Sequence, residues 1–256
     1  MRAPTPKPQV GLFVTCLVDL MRPSIGFAAV KLIEAAGCVV VVPTSQTCCG
    51  QPAYNCGDKA TTADIARATI AAFEGFDYVV APSGSCAGMI KAHYPDLLKG
   101  DAAWAIRAKG LAAKTYELMA FLVDVRGLME VETSLPLRVT YHDSCSGLRE
   151  LMVKGQPRQL LASVKGLELV EMDDNEVCCG FGGTFSIKYP DISNAMVQKK
   201  TDAATSVKPD LLLAGDLGCL LNMAGKLKRQ GSTIQVRHVA EVLAGEMSAP
   251  AIGEHA

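Results

Sequence analysis

Short apolar runs rich in valine and leucine recur at residues 10–15, 38–42, 78–81, 138–142, 167–171 and 211–214. None alternates strictly between apolar and polar positions, which is the pattern of strands buried on both faces. Between the runs, apolar positions shift to a spacing of three and four. Ile25, Ala28, Ala29, Leu32, Ile33 and Ala36 share one helical face, and Gly37 follows as a C-terminal stop. Ile65, Ala68, Ala72 and Phe73 do the same over 61–74, behind Thr61 and Thr62. Strand alternating with helix predicts right-handed crossovers and a mostly parallel sheet.

The same plan is written twice. Cysteines fall at 16, 38, 48, 49, 56, 86, 145, 178, 179 and 219. Without Cys38 and Cys56 they form two sets, each a single cysteine, an adjacent pair and a single cysteine. The second set follows the first by 129, 130, 130 and 133 residues, about half the chain length. The flanks agree: Thr47-Cys-Cys-Gly-Gln51 matches Val177-Cys-Cys-Gly-Phe181, and Leu118-Met-Ala-Phe-Leu122 parallels Val239-Ala-Glu-Val-Leu243. The expected fold is α/β: two tandem, pseudo-symmetric, Rossmann-like three-layer units with mostly parallel sheets. The units are expected over residues 1–130 and 131–256, with the boundary around Glu130 to Pro136. Cys16, Cys86, Cys145 and Cys219 then sit just past the C-terminal ends of strands, the edge where open α/β sheets bind ligands.

Composition narrows the setting. With 25 basic and 26 acidic side chains, the chain lacks the basic excess that nucleic acids or anionic membranes demand. No stretch approaches the roughly 18 apolar residues of a membrane span, so no transmembrane segment is expected, and peripheral docking is compatible with the sequence. The N-terminus, Met1-Arg2-Ala3-Pro4-Thr5-Pro6-Lys7-Pro8, has no apolar core of a secretory signal. The expected compartment is the cytoplasm, where thiols stay reduced, so ten cysteines point to metal binding or thiol chemistry rather than to disulfides.

Four thiolates per half suit tetrahedral zinc or an iron–sulfur cluster. Adjacent cysteines in an extended segment point opposite ways, which is awkward around one small ion and natural around a cluster with several irons. The glycine after each pair lets backbone approach a bulky inorganic core. Cys38, inside a run of valines, and Cys56, which has no counterpart in the second set, are expected to be buried packing residues.

This pattern resembles the cysteine-rich "CCG" domain. It is carried by Cys16, Cys48-Cys-Gly50, Cys86 and, in the second half, Cys145, Cys178-Cys-Gly-Phe-Gly-Gly-Thr-Phe-Ser186 and Cys219. The domain occurs in the cysteine-rich subunit of heterodisulfide reductase and in iron–sulfur subunits of glycolate oxidase and anaerobic glycerol-3-phosphate dehydrogenase. A stand-alone pair of such domains, without a Cys-x-x-Cys-x-x-Cys ferredoxin segment, is most similar to the lactate-utilization branch. The resemblance implies two [4Fe–4S] clusters, one on Cys16, Cys48, Cys49 and Cys86, the other on Cys145, Cys178, Cys179 and Cys219. It implies an electron-transfer subunit of an L-lactate (2-hydroxy acid) oxidoreductase complex rather than a complete enzyme. Its partners would be a second, ferredoxin-type iron–sulfur subunit and a third small subunit. Where the heterodisulfide reductase type has a fifth cysteine, this chain has Met89 and Asn222, so four thiolates per half is the expected set. The alternatives are a heterodisulfide-reductase-like thiol–disulfide oxidoreductase subunit and a zinc-stabilised binding module, and the ligand type also admits zinc in one repeat.

Other polar residues near the second set carry weaker signals. His142-Asp143 precedes Cys145 at a strand end and could hydrogen-bond a cluster sulfur or relay a proton, although a satisfied structural histidine is the expectation. Arg149 and Lys188 are expected to be exposed charges, and His238 to pack on the final helix. Glycines 180, 182 and 183 lack the strand–GxGxxG–helix context of a dinucleotide site, so neither NAD nor flavin is expected, and no catalytic residue is assigned.

Overall fold

In the computed structural model, which describes residues 6–254, the strands form two separate four-stranded sheets. The part of the N-terminal segment before Pro6 lies outside the described residues. The first sheet contains β1 (Gln9–Leu12), β2 (Val39–Val41), β3 (Tyr78–Ala81) and β4 (Thr115–Glu117), in the order β2-β1-β3-β4. The second contains β5 (Arg138–His142), β6 (Glu168–Leu169), β7 (Leu211–Ala214) and β8 (Gln235–His238), in the order β6-β5-β7-β8. Every pairing is parallel. The chain leaves β1 for one side of the sheet and returns to the other, so the strand order reverses between β1 and β3, and likewise between β5 and β7. Such a switch point opens a crevice beyond the carboxyl ends of the two central strands.

Helices fill the connections. The first half has α1 (Cys16–Met21), α2 (Pro23–Ala35), α3 (Gln51–Asn55), α4 (Lys59–Phe73), α5 (Gly84–Gly88), α6 (Tyr94–Leu97), α7 (Ala102–Ala113) and α8 (Leu118–Ala120). The second has α9 (Cys145–Leu151), α10 (Gly155–Ala162), α11 (Thr184–Lys188), α12 (Pro190–Ser206), α13 (Leu217–Arg229) and α14 (Val239–Ala244). A helix expected behind Thr61 starts two residues earlier, because the Asp58 carboxylate caps it and accepts from the Thr61 N–H at 3.0 Å. Among the described residues no helix is long and apolar enough to cross a membrane.

Two features lie beyond the expected pattern. The fourth strand of each sheet is absent from the sequence reading. Thr115-Tyr-Glu117 and Gln235-Val-Arg-His238 are too short and too polar to register as apolar runs, yet both are paired and largely buried. The two halves are also interlocked. The short helix after each fourth strand packs on the other half: α14 against α2, and α8 against α10. One continuous core therefore joins Val10, Leu12, Leu32, Leu118 and Phe121 to Val139, Tyr141, Leu160, Leu213, Val239 and Leu243. Hydrogen bonds reinforce the α2–α14 contact. Half-buried Arg22, before α2, donates from Nε to buried Glu241 of α14 at 2.9 Å, and Ser24 donates to the same oxygen at 2.7 Å.

Candidate functional site

The eight repeated cysteines line one cavity of about 480 Å³ at the carboxyl edges of both sheets. Topology explains the convergence. Cys16 and Cys145 are the first residues of the helices that follow β1 and β5. Cys86 and Cys219 lie in the first turn of the helices that follow β3 and β7. The adjacent pairs come from the loops beyond β2 and β6. The Cys49 and Cys86 sulfurs are 3.5 Å apart. Cys38 is buried in the core as expected, but Cys56 is exposed at the C-terminal end of α3 and does not line the cavity. The expectation of a buried Cys56 is corrected: α3 is a single turn whose end faces solvent.

Each adjacent pair is shaped by the glycine behind it. Gly50 and Gly180 have φ of 84° and 83°, a left-handed conformation that turns their N–H groups onto the Cys48 and Cys178 sulfurs, 3.4 Å away in both halves. At Gly180 a side chain would also meet Ser193 O at 2.8 Å.

The electrostatics fit a cation-bearing guest. The Cys48 thiol is pushed down to about 2 by hydrogen bonds from the Cys16 and Cys49 thiols, and then by the Gly50 N–H. Cys178 is lowered to the same value by Cys145, Cys179 and Gly180. Their neighbours move the other way. Cys16, Cys49, Cys145 and Cys179 are raised, first because each donates its own proton to a neighbouring sulfur, then by burial and by the charge of nearby thiolates. One thiolate per half forms readily, and a second, third and fourth require positive charge among them. That donor chemistry suits iron or zinc; four sulfurs per half match the ligand number of a [4Fe–4S] cluster.

Met89 and Asn222 do not extend either set with a thiolate. Met89 is buried and lines the cavity. Asn222 is occupied elsewhere, its Nδ2 donating to Cys179 O at 2.9 Å. In the first half, Tyr94 performs the same task from a different position, its hydroxyl donating to Cys49 O at 2.8 Å. Both bonds hold the backbone of an adjacent pair, and neither is legible in the motif.

His142 and Asp143 have different surroundings from those expected. Asp143 is almost wholly buried and receives both Nη1 and Nη2 of Arg158, at 2.9 and 2.8 Å. Arg158 also grips Glu171 at 2.6 Å. His142, by contrast, is not a satisfied structural histidine. Its side chain is fully buried, neither ring nitrogen has a hydrogen-bond partner, and one of them lies within 4.8 Å of the Cys179 and Cys219 sulfurs. Burial holds it neutral, pushed down to about 3. Arg149 and Lys188 are exposed, as expected. His238 ends β8 and caps α14 rather than lying within it: its Nδ1 accepts from Ala240 N at 3.1 Å, and its Nε2 is 3.2 Å from Pro82 O in the other half.

The residues that carry the last cysteine of each half are not singled out by spacing. Ser83 caps α5, its hydroxyl accepting from Cys86 N at 3.3 Å, while Asp216 caps α13 and accepts from Gly218 N at 3.2 Å. A signal was present: in Ser83-Gly-Ser-Cys86 and Asp216-Leu-Gly-Cys219 a capping residue stands three places before the cysteine.

Comparison with known proteins agrees with this geometry. Residues 10–91 and 139–224 each match the family described as a cysteine-rich domain, CCG. The chain is 50% identical over 235 residues to lactate utilization protein A of Geobacillus thermodenitrificans, covering 92% of this chain and 98% of that one. It is 51% identical to the protein of the same name from Geobacillus kaustophilus, with the same coverage. Against that of Macrococcus caseolyticus it is 46% identical over 241 residues, covering 94% and 98%. Among solved structures, a Helicobacter pylori protein superposes with a TM-score of 0.62 at 12% identity, over all of this chain and 51% of that longer one. That likeness concerns the fold alone.

Proposed function

Because the chain belongs to the cysteine-rich CCG domain family, together with the lactate utilization A proteins, we propose that it is the iron–sulfur electron-transfer subunit of a system oxidising L-lactate or a close 2-hydroxy acid. The observation that carries this reading is the convergence of eight cysteines, four from each repeat, on one cavity. Cys16, Cys48, Cys49 and Cys86 would hold one [4Fe–4S] cluster and Cys145, Cys178, Cys179 and Cys219 the other. Such clusters, when bound, supply one-electron carriers. The chain's own residues orient the ligands. Helix caps at Ser83 and Asp216 fix Cys86 and Cys219, and the Gly50 and Gly180 N–H groups donate to ligand sulfurs.

Removing two electrons from a hydroxy acid calls for a further group, such as a flavin, on another subunit. A ferredoxin-type iron–sulfur protein and a third small subunit are the partners this reading supplies. The test is anaerobic purification with iron and acid-labile sulfide measured per chain, alongside EPR of the reduced protein. About eight irons per chain is the expected result. Near-zero iron after reconstitution, with stoichiometric zinc, would overturn it.

A further inference from the structure

The two thiolate sets are not equivalent, and duplication makes the difference readable position by position. Three residues before the first cysteine of each set stand Phe13 and His142. Phe13 packs on Phe73, with ring centroids 5.5 Å apart, and contributes only apolar surface. His142 brings an imidazole, which bears at least one N–H in either protonation state, to within 4.8 Å of two ligand sulfurs, with no competing partner for either nitrogen.

A second position differs in the same sense. Gly50 abuts Thr62 and Ile65 of α4, and Gly180 abuts Ser193 and Met196 of α12. Four residues on from Ile65 and Met196 lie Thr69 and Lys200. Thr69 is neutral and accepts from Tyr94 at 3.3 Å. Lys200 is 2% exposed, its ammonium donating to the Asp174 carbonyl. Other polar groups line the cavity as well, His93 paired with Glu150 among them. The glycine N–H donors sit at 3.4 Å in both. Asp143 is paired with Arg158. Asp216 receives Ser83 and Ser85 N from the first half and Gly218 N from the second, and its charge, which bears on Cys145 and Cys219, is the one group here that works against His142 and Lys200.

Hydrogen bonds to ligand sulfur and nearby positive charge stabilise the more negative, reduced form of an iron–sulfur cluster. Resting on the two-cluster reading above, we infer that the cluster of the second repeat has the more positive potential, set by His142, a buried imidazole beside two ligand sulfurs whose N–H is free to donate to one of them once the cluster is bound, and by Lys200 as a buried charge. An electron entering at the first repeat then moves downhill to the second. Both residues act through the cluster ligands and are positioning residues.

The experiment is an EPR-monitored redox titration of the anaerobically reconstituted full chain, with iron and sulfide measured on each sample. Two midpoints are expected. Cys178→Ser should abolish the more positive wave, and Cys48→Ser the more negative one. His142→Phe and Lys200→Thr, which install the first half's residues, should each shift only the more positive midpoint downward. Should His142→Phe load poorly, His142→Gln keeps an N–H donor and should retain most of the potential, while Lys200→Thr still reads the charge. A single shared midpoint, loss of the more positive wave in Cys48→Ser, or an unmoved midpoint in both His142→Phe and Lys200→Thr would overturn the inference while leaving the eight-iron content intact. Absence of iron would instead remove the two-cluster reading, and the inference with it.

Discussion

The hydroxyl of Ser83 donates to Oδ2 of Asp216 across 2.9 Å, and each residue is the other's counterpart in the duplication. Both cap the helix carrying the last cysteine of their half, and both are buried. The Ser85 N–H reaches the same oxygen at 3.0 Å. Two ionised carboxylates would repel each other here, and the serine–aspartate difference lets the two caps meet through a hydrogen bond. Ser83→Ala leaves the buried carboxylate one donor short, a cost of about 1–3 kcal/mol. Ser83→Asp, which makes the repeats alike, is expected to cost more through like-charge repulsion. Urea unfolding of the two variants gives the order, and a Ser83→Asp chain as stable as Ser83→Ala would refute it.

Gly84 and Gly147 bring α5 and α9 together backbone to backbone. A Cβ at Gly84 would lie 2.7 Å from Gly147 Cα and 2.8 Å from its nitrogen. Gly84→Ala should therefore push the two cysteine-bearing helices apart, costing about 1–3 kcal/mol and exposing the cavity thiols to alkylation. Gly110, exposed inside α7 with open space around it, is the control. Gly110→Ala should stabilise the chain by about 1 kcal/mol.

Arg158→Leu strands the Asp143 carboxylate in the interior. A buried charge losing its partner costs about 3–5 kcal/mol, and the loss should appear as a lower denaturation midpoint at neutral pH. A loss below about 1 kcal/mol would mean that the carboxylate finds another donor.

Glu117 caps α8, its Oε2 accepting from Met119 and Ala120 at 2.7 and 3.1 Å, and burial raises it to about 8 despite those bonds. The folded chain thus keeps this proton while the unfolded chain releases it near the ordinary glutamate value of about 4.3. The contribution is complete below that value and is lost as pH rises through about 8. Denaturant midpoints should fall between pH 5 and 8 in the parent and fall less in Glu117→Gln; equal slopes would exclude Glu117 as the source.

Asn222→Leu should deprive the Cys179 carbonyl of its donor, at a cost of about 1–3 kcal/mol, and lower the iron retained by the second set. Met89→Leu conserves volume at the matching position of the first half and should cost less than about 1.5 kcal/mol, with iron unchanged. Matching iron loss in both variants would place Met89 among the ligands.

The central strands were legible because β1, β3, β5 and β7 are buried on both faces and read as apolar runs. β4 and β8 were not, since Thr115, Glu117, Arg237 and His238 are polar residues that the fold nevertheless buries, so no apolar run marks them. Cysteine spacing identified which eight thiols gather, because strand–helix alternation sends every one of them to the same sheet edge. It could not show that both sets face one cavity, nor that the last helix of each half covers the other half.

Periodicity and spacing, then, determined the duplicated α/β plan and the division of ten cysteines into eight and two, since both are properties of order along the chain. The tertiary structure decided what surrounds those eight: Asn222 and Tyr94 on the pair carbonyls, Ser83 against Asp216, and an unpartnered His142 where the first half has Phe13. These pairings join residues from tens to more than a hundred positions apart. A hydrogen bond or a buried charge depends on what lies within a few ångströms, and that neighbourhood exists only once the two halves have closed on each other.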